Sequence, residues 1–418
     1  MKNWAGNLDY SAADVVRPSS LAELAETVAA AAKVKPLGSL HCFNDIADTG
    51  GTHLLLDGLG GRPEIDQARG IVRVPGRTSY GELAQHLHEH GYALHNMASL
   101  PHISVAGALQ TGTYGSGVGN GGLASAVKAI ELVRASGEVD RLEASDGDEF
   151  LGSVVGLGAL GIVTAVELAI DPTYQVSQRV FERLPWQEAL KNFDEIAASA
   201  YSVSLFTDYY EDTIAQIWQK ARADDNGGTG VAPQTLFGAT AATIPRHPLP
   251  EMSGENCTEQ LGVPGPWLER LPHFRPEFTP SHGDELQSEY ILPREHAAAA
   301  MEQLRGLSNK VAPLLYVSEI RTIAADGFWL SPSYRQDSVA FHLTWKPRQV
   351  DVEALLPYIE SALAPLGARP HWGKLFAAGS DEIASLYPHF NDFRSLVEKH
   401  DPTGKFRNSY LERVIGAG

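Results

Sequence analysis

Residues 96–122 read NMASLPHISVAGALQTGTYGSGVGNGG, with seven glycines and a dense set of Ser and Thr in 27 positions and no sustained helical or strand period. A segment this long without secondary structure is unusual inside a compact domain unless it carries function. Its short side chains and permissive backbone suit a wall that follows an extended, polar, phosphorylated ligand. Leu100, Ile103, Val105, Leu109 and Val118 are interspersed through it, so it reads as an anchored wall and not as a free glycine linker.

Upstream lies a second small-residue turn, Gly38-Ser39-Leu40-His41-Cys42-Phe43-Asn44, following the apolar run Val34–Leu37. Backbone amides in such a turn can approach a phosphate closely, and His41 is then a candidate contact or covalent anchor for what the phosphate belongs to. Adjacent His41 and Cys42 do not converge on one atom, so a metal or nucleophile pair is not indicated.

Around these two stretches the pattern is α/β. Ser20-x-x-Glu23 and Ser79-x-x-Glu82 predict capping boxes opening helices over Leu21–Ala32 and Gly81–Glu89, each beside a strand-like run (Val34–Leu37, Ile71–Val74). Ile130–Arg134 and Val139–Glu143 flank Ala-Ser-Gly as a hairpin. The nearly apolar run from Ser153 to Ile170 is broken by Gly156, Gly158, Gly161 and Glu167, which spoils a membrane span and leaves a buried strand over Ile162–Ile170.

After Asp171-Pro172 the texture changes, with an Asp-Asp-Asn-Gly-Gly loop at 224–228, a proline-rich passage from Pro245 to Pro280, and alternating segments near 315–322 and 338–346. Glu319 and Arg321 are two apart, and on a strand they project to one face with Ile320 on the other. His342 and Thr344 repeat the arrangement. If the two strands are neighbours, a carboxylate, a guanidinium, an imidazole and a hydroxyl share one floor, the equipment to bind and polarise a polyhydroxylated molecule. Lys374 in His371-Trp372-Gly373-Lys374 offers a second cation.

The net charge of −18 argues against nucleic acid and against an anionic membrane surface. Two cysteines, Cys42 and Cys257, exclude a disulfide framework, and the start of the chain shows no basic-then-apolar leader, so a cytoplasmic protein is expected. His86, His88 and His90 lack a third ligand of metal-site spacing and read as a solvated helix face, so no metal is expected.

Taken together, Asn3-Trp4-Ala5-Gly6-Asn7, the His41 turn, NMASLPHISVAG with TGTYGSGVGNG, GALGIVTAVEL, AYSVSLFTD, NCTEQLGVPGPW, SEIRT, HLTW, HWGK and the Asp-Pro-x-Gly-Lys-Phe-x-Asn end resemble the alditol oxidases, within the flavoprotein family related to vanillyl-alcohol oxidase. The resemblance implies an α+β, two-domain FAD-binding fold. Residues 1–171 would form the FAD-binding domain, 172–370 a substrate (cap) domain on a mainly antiparallel sheet, and 371–418 a segment returning to the first domain. It implies FAD attached covalently through His41 and contacted by Gly38, Ser39, Leu40, Cys42, Ser99, Ser104, Gly107, Thr111, Gly112, Thr113, Tyr114, Ile162, Val163 and Asn408. It implies substrate contacts from Ser99, Glu319, Arg321, His342, Thr344 and Lys374, with Arg321, Lys374 and Glu319 carrying the chemistry. The activity implied is oxidation of the terminal hydroxyl of a linear polyol such as xylitol or sorbitol, O2 being reduced to H2O2 by a monomeric enzyme. A sugar-lactone oxidase or dehydrogenase of the same superfamily, and a non-catalytic polyol-binding protein, are the alternatives. Leu40 and Cys42 stand where Gly and Ser are common in the family, and Tyr114 where His is common; Leu40 makes the turn less permissive. Small Ala98 resembles the position that leaves oxygen room beside the flavin.

Overall fold

The structure is a computed structural model that describes residues 1–223, 233–249, 251–275 and 285–416. The loop expected at 224–228 and part of the proline-rich passage lie outside the described residues.

Short parallel strands Asp14–Val16, Thr52–Leu55 and Val34–Leu37 form one small sheet, with Thr52–Leu55 in the middle. An antiparallel five-stranded sheet follows in the order Glu64–Asp66, Ile71–Pro75, Ile162–Ala169, Val127–Val133, Val139–Glu143. The expected hairpin forms, closed by Arg134 N–H to the Glu138 carbonyl (2.8 Å) with Gly137 at φ 87°. Both sheets and their helices pack on cores that also take in Trp372, Tyr410 and Phe406 from the end of the chain.

The larger sheet is antiparallel and ten-stranded. Its central order is Gln175–Pro185, Thr213–Arg222, Ser202–Thr207, Leu315–Ile323, Ser338–Trp345, Leu286–Pro293. Period-two alternation decides which side chains face where. Ile320, Val339, Phe341, Leu343, Trp345, Tyr290 and Leu292 enter a second core beneath helices Ala297–Gly306 and Gln349–Leu363, while the residues between them face away from it.

Two local expectations are corrected. Of the two expected capping boxes, the one between Ser79 and Glu82 forms in full. Ser20 does accept from Glu23 N–H, but the Glu23 carboxylate turns to Ser19, whose N–H (2.8 Å) and hydroxyl (2.7 Å) offer two donors at once. Within 96–122, Val105–Gln110 forms a helix too short to show a period in the sequence.

Candidate active site

A cleft lies between the glycine-rich segments and the face of the large sheet that points away from the second core. On the sheet side, register sets the floor. Phe206, Glu319, His342 and Glu289 stand side by side across four strands, flanked by the row Val317, Thr344, Gln287. The predicted neighbouring of Glu319, Arg321, His342 and Thr344 therefore holds, and all four line the cleft with Ser99 and Lys374.

Glu289 is the organising group that the sequence reading missed. Its carboxylate, 1% exposed, accepts from Arg321 Nη2 (2.9 Å), from Lys374 Nζ (2.6 Å) and from the Tyr114 hydroxyl. Burial would raise its pKa, but Lys374 and Arg321 hold it well below the carboxylate range. Glu319 follows the same logic, its burial outweighed by Arg321 and His273. Arg321 Nε lies 3.6 Å from Glu319 Oε2, and Arg321 Nη1 donates to Ser99 Oγ at 3.5 Å. The guanidinium also lies over the Tyr114 ring at 4.7 Å, which locks its plane. Two cations and two carboxylates thus make a floor with no net charge, rigid and almost dry.

His342 and His371 are pushed down to about 3, by burial and then by Lys374. Both imidazoles are neutral near pH 7, and His342 Nε2 is buried in the cleft wall without a partner. Lys374 is not a surface residue. Its turn is tied down where the Asn44 amide donates to the Trp372 (2.8 Å) and Lys374 (2.7 Å) carbonyls.

On the opposite wall, His41 is held from two directions. Phe43 N–H donates to the Gly373 carbonyl (2.8 Å), while Asn3 and Asn7 donate to the Cys42 (2.9 Å) and Phe43 (3.0 Å) carbonyls. The Trp4 ring lies 4.3 Å from the His41 imidazole, whose Nε2 is buried and unpartnered and whose pKa falls to about 4 through burial, Lys374 and His102. Cys42 stays a thiol, burial raising it to about 12. Leu40 sits at φ 60°, the left-handed region that disfavours a side chain by roughly 1–2 kcal/mol. Leu40→Gly should relieve that strain while adding about 0.5–1 kcal/mol of backbone entropy. Its thermal midpoint should be equal to or above that of the parent; a fall of several degrees would mean that the Leu40 side chain contributes packing instead.

Close approach along this wall is built in. A Cβ on Gly38 would sit 2.5 Å from Ser104 Oγ, and one on Gly107 2.8 Å from the same atom. Farther along, buried Lys35, lowered to about 7 by burial, reaches the Gly158 carbonyl at 3.1 Å. An elongated cleft walled by glycines, with an orphaned imidazole nitrogen at one point and a buried ammonium at another, fits a long phosphorylated cofactor. Gly38, Ser39, Leu40, His41, Cys42, Ser99, Ser104, Gly107, Thr111, Thr113, Tyr114 and Val163 all line it, although the Tyr114 hydroxyl is committed to Glu289.

Three of the expected contact residues are not among those lining the cleft. Asn408 donates to the Asp45 (3.0 Å), Ile46 (3.1 Å) and Asp48 (2.7 Å) carbonyls and caps the last helix, so its amide is fully used in joining the chain end to the His41 turn. The Ile162 side chain packs with Leu24, Val28 and Phe406. Gly112 turns at φ 65° against Pro332 and Val155. The His86 and His90 rings lie 4.5 Å apart, tilted by 38°, at the end of their helix, and no group of three or more metal-ligating side chains occurs among the described residues.

Among the described residues, five buried imidazoles, His41, His247, His273, His342 and His371, are lowered to about 3 to 4 against an ordinary 6.5. Below 6.5 the unfolded chain binds protons that these groups refuse, so stability should fall as pH drops from there toward 3, and Glu289 and Glu319 add a loss of the same sign at lower pH. Urea midpoints should decrease between about pH 7.5 and about pH 5.5. A flat profile would mean that these imidazoles are solvated.

A model described as an FAD binding domain matches residues 12–143, and one described as D-arabinono-1,4-lactone oxidase matches residues 284–414, which include the cleft floor. The chain is 48% identical to an alditol oxidase of Streptomyces sp. (strain IKD472 / FERM P-14339), over 99% of this chain and 98% of that one. It is 28% identical to an L-gulono-1,4-lactone dehydrogenase of Mycobacterium tuberculosis and 27% identical to an L-gulonolactone oxidase of Mus musculus, each over 99% of this chain and 98% of the relative. The crystal structure of cholesterol oxidase from B. sterolicum superposes with a TM-score of 0.78 at 13% identity, covering 99% of this chain and 96% of the other, and shares the fold. No helix among the described residues is long and apolar enough to cross a membrane. The chain belongs to the alditol oxidase family of vanillyl-alcohol oxidase-type flavoproteins.

Proposed function

We propose that the protein oxidises the terminal hydroxyl of linear polyols such as xylitol or sorbitol to the aldose, with FAD joined covalently to His41 and O2 as the acceptor that yields H2O2. The observation that carries this reading is the preorganised floor of Glu289, Glu319, Arg321, His342 and Lys374 facing the glycine-walled cleft. In this reading residues 1–171 and 371–418 hold the cofactor and 172–370 present the substrate.

The flavin, when bound, supplies the hydride acceptor and the place where oxygen is reduced. The chain's own residues bind, orient and move a proton. The Glu319 carboxylate accepts from a polyol hydroxyl, and Ser99 and Thr344 offer hydroxyls to its neighbours. Neutral His342, with its unpartnered Nε2, takes the proton from the reacting hydroxyl. Arg321 and Lys374 stabilise negative charge as it develops on that oxygen, and because Glu289 already fixes both cations, little reorganisation accompanies the step. Small Ala98, 6% exposed on the cleft wall, leaves room for oxygen.

The match of residues 284–414 to a lactone oxidase model supports a second reading, oxidation of an aldonolactone. Peroxide release in air over a panel of polyols and aldonolactones separates the two. Xylitol and sorbitol should give stoichiometric peroxide. Turnover confined to lactones would replace the proposal with the second reading, and no turnover of either class would leave a polyol-binding protein.

A further inference from the structure

Behind the cleft floor, buried Lys220 and His273 form a chain that ends on Glu319, and the reaction outlined above uses neither Lys220 nor His273. Lys220, 1% exposed on strand Thr213–Arg222, donates to the Leu271 carbonyl, to the Pro272 carbonyl (3.1 Å) and to His273 Nδ1 (3.1 Å). His273 Nε2 lies 2.7 Å from Glu319 Oε1. The imidazole is caged by Phe206 and Trp218, with ring centroids at 5.6 and 5.2 Å, so it cannot swing away.

Donor and acceptor roles along this chain are not free. Glu319, held ionised chiefly by Arg321 against the effect of its burial, can only accept, so His273 must carry its proton on Nε2. Nδ1 is then an acceptor and needs a donor, which Lys220 Nζ supplies; burial pulls the Lys220 ammonium down to about 7, and three acceptors around Nζ favour its charged form. The two carbonyls on Lys220 accept as well, so all three N–H bonds of a charged Lys220 have partners. Each protonation state follows from the one before it. His273 has both nitrogens committed and no polar atom left for a ligand, although its edge reaches the cleft.

We propose that His273 and Lys220 are positioning residues that pin Glu319 Oε1 through a neutral, Nε2-protonated imidazole, leaving Oε2 as the oxygen that accepts from the substrate hydroxyl. This rests on the reading of Glu319 as a substrate contact. Without the chain, the carboxylate can rotate or draw closer to Arg321, whose Nε is unpartnered 3.6 Å from Oε2, and the acceptor is no longer aimed into the cleft.

The test uses the flavin-loaded protein labelled with 15N-histidine, the His273 signals being those absent from H273Q. Near neutral pH these should report a neutral ring with Nε2 protonated and Nδ1 bare, and K220M should keep that tautomer, which Glu319 sets, while raising the pH at which Nδ1 takes a proton. An imidazolium, or a ring protonated on Nδ1, in the parent protein overturns the proposal. In a second arm, H273F fills the aromatic cage but removes the donor. It should raise the half-saturating polyol concentration and slow anaerobic flavin reduction on the order of 10-fold or more, with flavin content retained and the thermal midpoint lowered, since Lys220 and Glu319 each lose a buried partner. H273Q restores an N–H toward Glu319 and should recover most of the loss. H273F that binds and is reduced like the parent contradicts the inference. A parent protein that no polyol reduces would refute the proposed substrate, and the tautomer measurement would still decide the inference.

Discussion

Arg321→Ala, loaded with flavin and mixed with polyol in the absence of oxygen, is expected to be reduced on the order of 100-fold or more slowly than the parent. The guanidinium meets Glu289 at 2.9 Å, lies 3.6 Å from Glu319 and 3.5 Å from Ser99, and stacks over Tyr114, so its charge is fixed before substrate arrives. Its removal takes away the field that stabilises the developing alkoxide and leaves two buried carboxylates short of a partner. Breaking a buried pair costs roughly 3–5 kcal/mol of stability, so the thermal midpoint should fall as well. Arg321→Lys separates the two effects. It keeps a charge but cannot reach Glu289 and Glu319 in one plane, and its reduction rate should lie between those of the parent and the alanine variant. Reduction of Arg321→Ala at the parental rate would remove Arg321 from the chemistry.

The second large effect concerns the cofactor's attachment. In the parent protein, flavin colour should stay with the pellet after acid precipitation; in His41→Ala it should pass entirely to the supernatant. His41 is oriented by Trp4 and by the paired turns at 40–44 and 371–374, and its Nε2 has no protein partner. A buried imidazole lowered to about 4 is unprotonated near pH 7 and available as a nucleophile. Flavin that remained in the His41→Ala pellet would place the attachment elsewhere, and flavin released from the parent would show it to be non-covalent.

The floor was legible because a strand repeats every two residues. Glu319 with Arg321 and His342 with Thr344 announce their shared face in any sequence that alternates, and the antiparallel register then sets Glu319 opposite His342. Glu289 had a comparable signal, since Gln287 and Glu289 alternate with Leu286, Ser288 and Tyr290, yet no second charged residue on its strand marked that face. His273 had none: it sits in a loop whose closeness to Glu319 exists only once strands Ser202–Thr207 and Leu315–Ile323 pair. Asn408 carries an ambiguous signal. An asparagine before a helix is as good a cap as it is a ligand contact, and three nearby carbonyls took its amide. The same competition undid the Ser20 box, where Ser19 offered Glu23 a closer pair of donors.

In the proposed function, a neutral, preorganised floor delivers a polyol's terminal carbinol to FAD held on His41. Rapid anaerobic mixing of the flavin-loaded protein with xylitol tests it most directly, followed by admission of air with peroxide measured against flavin. The oxidised flavin band should bleach completely, with a rate that saturates in xylitol, and then recover with one peroxide per flavin. A band unchanged by xylitol or sorbitol, but bleached by an aldonolactone, would contradict it.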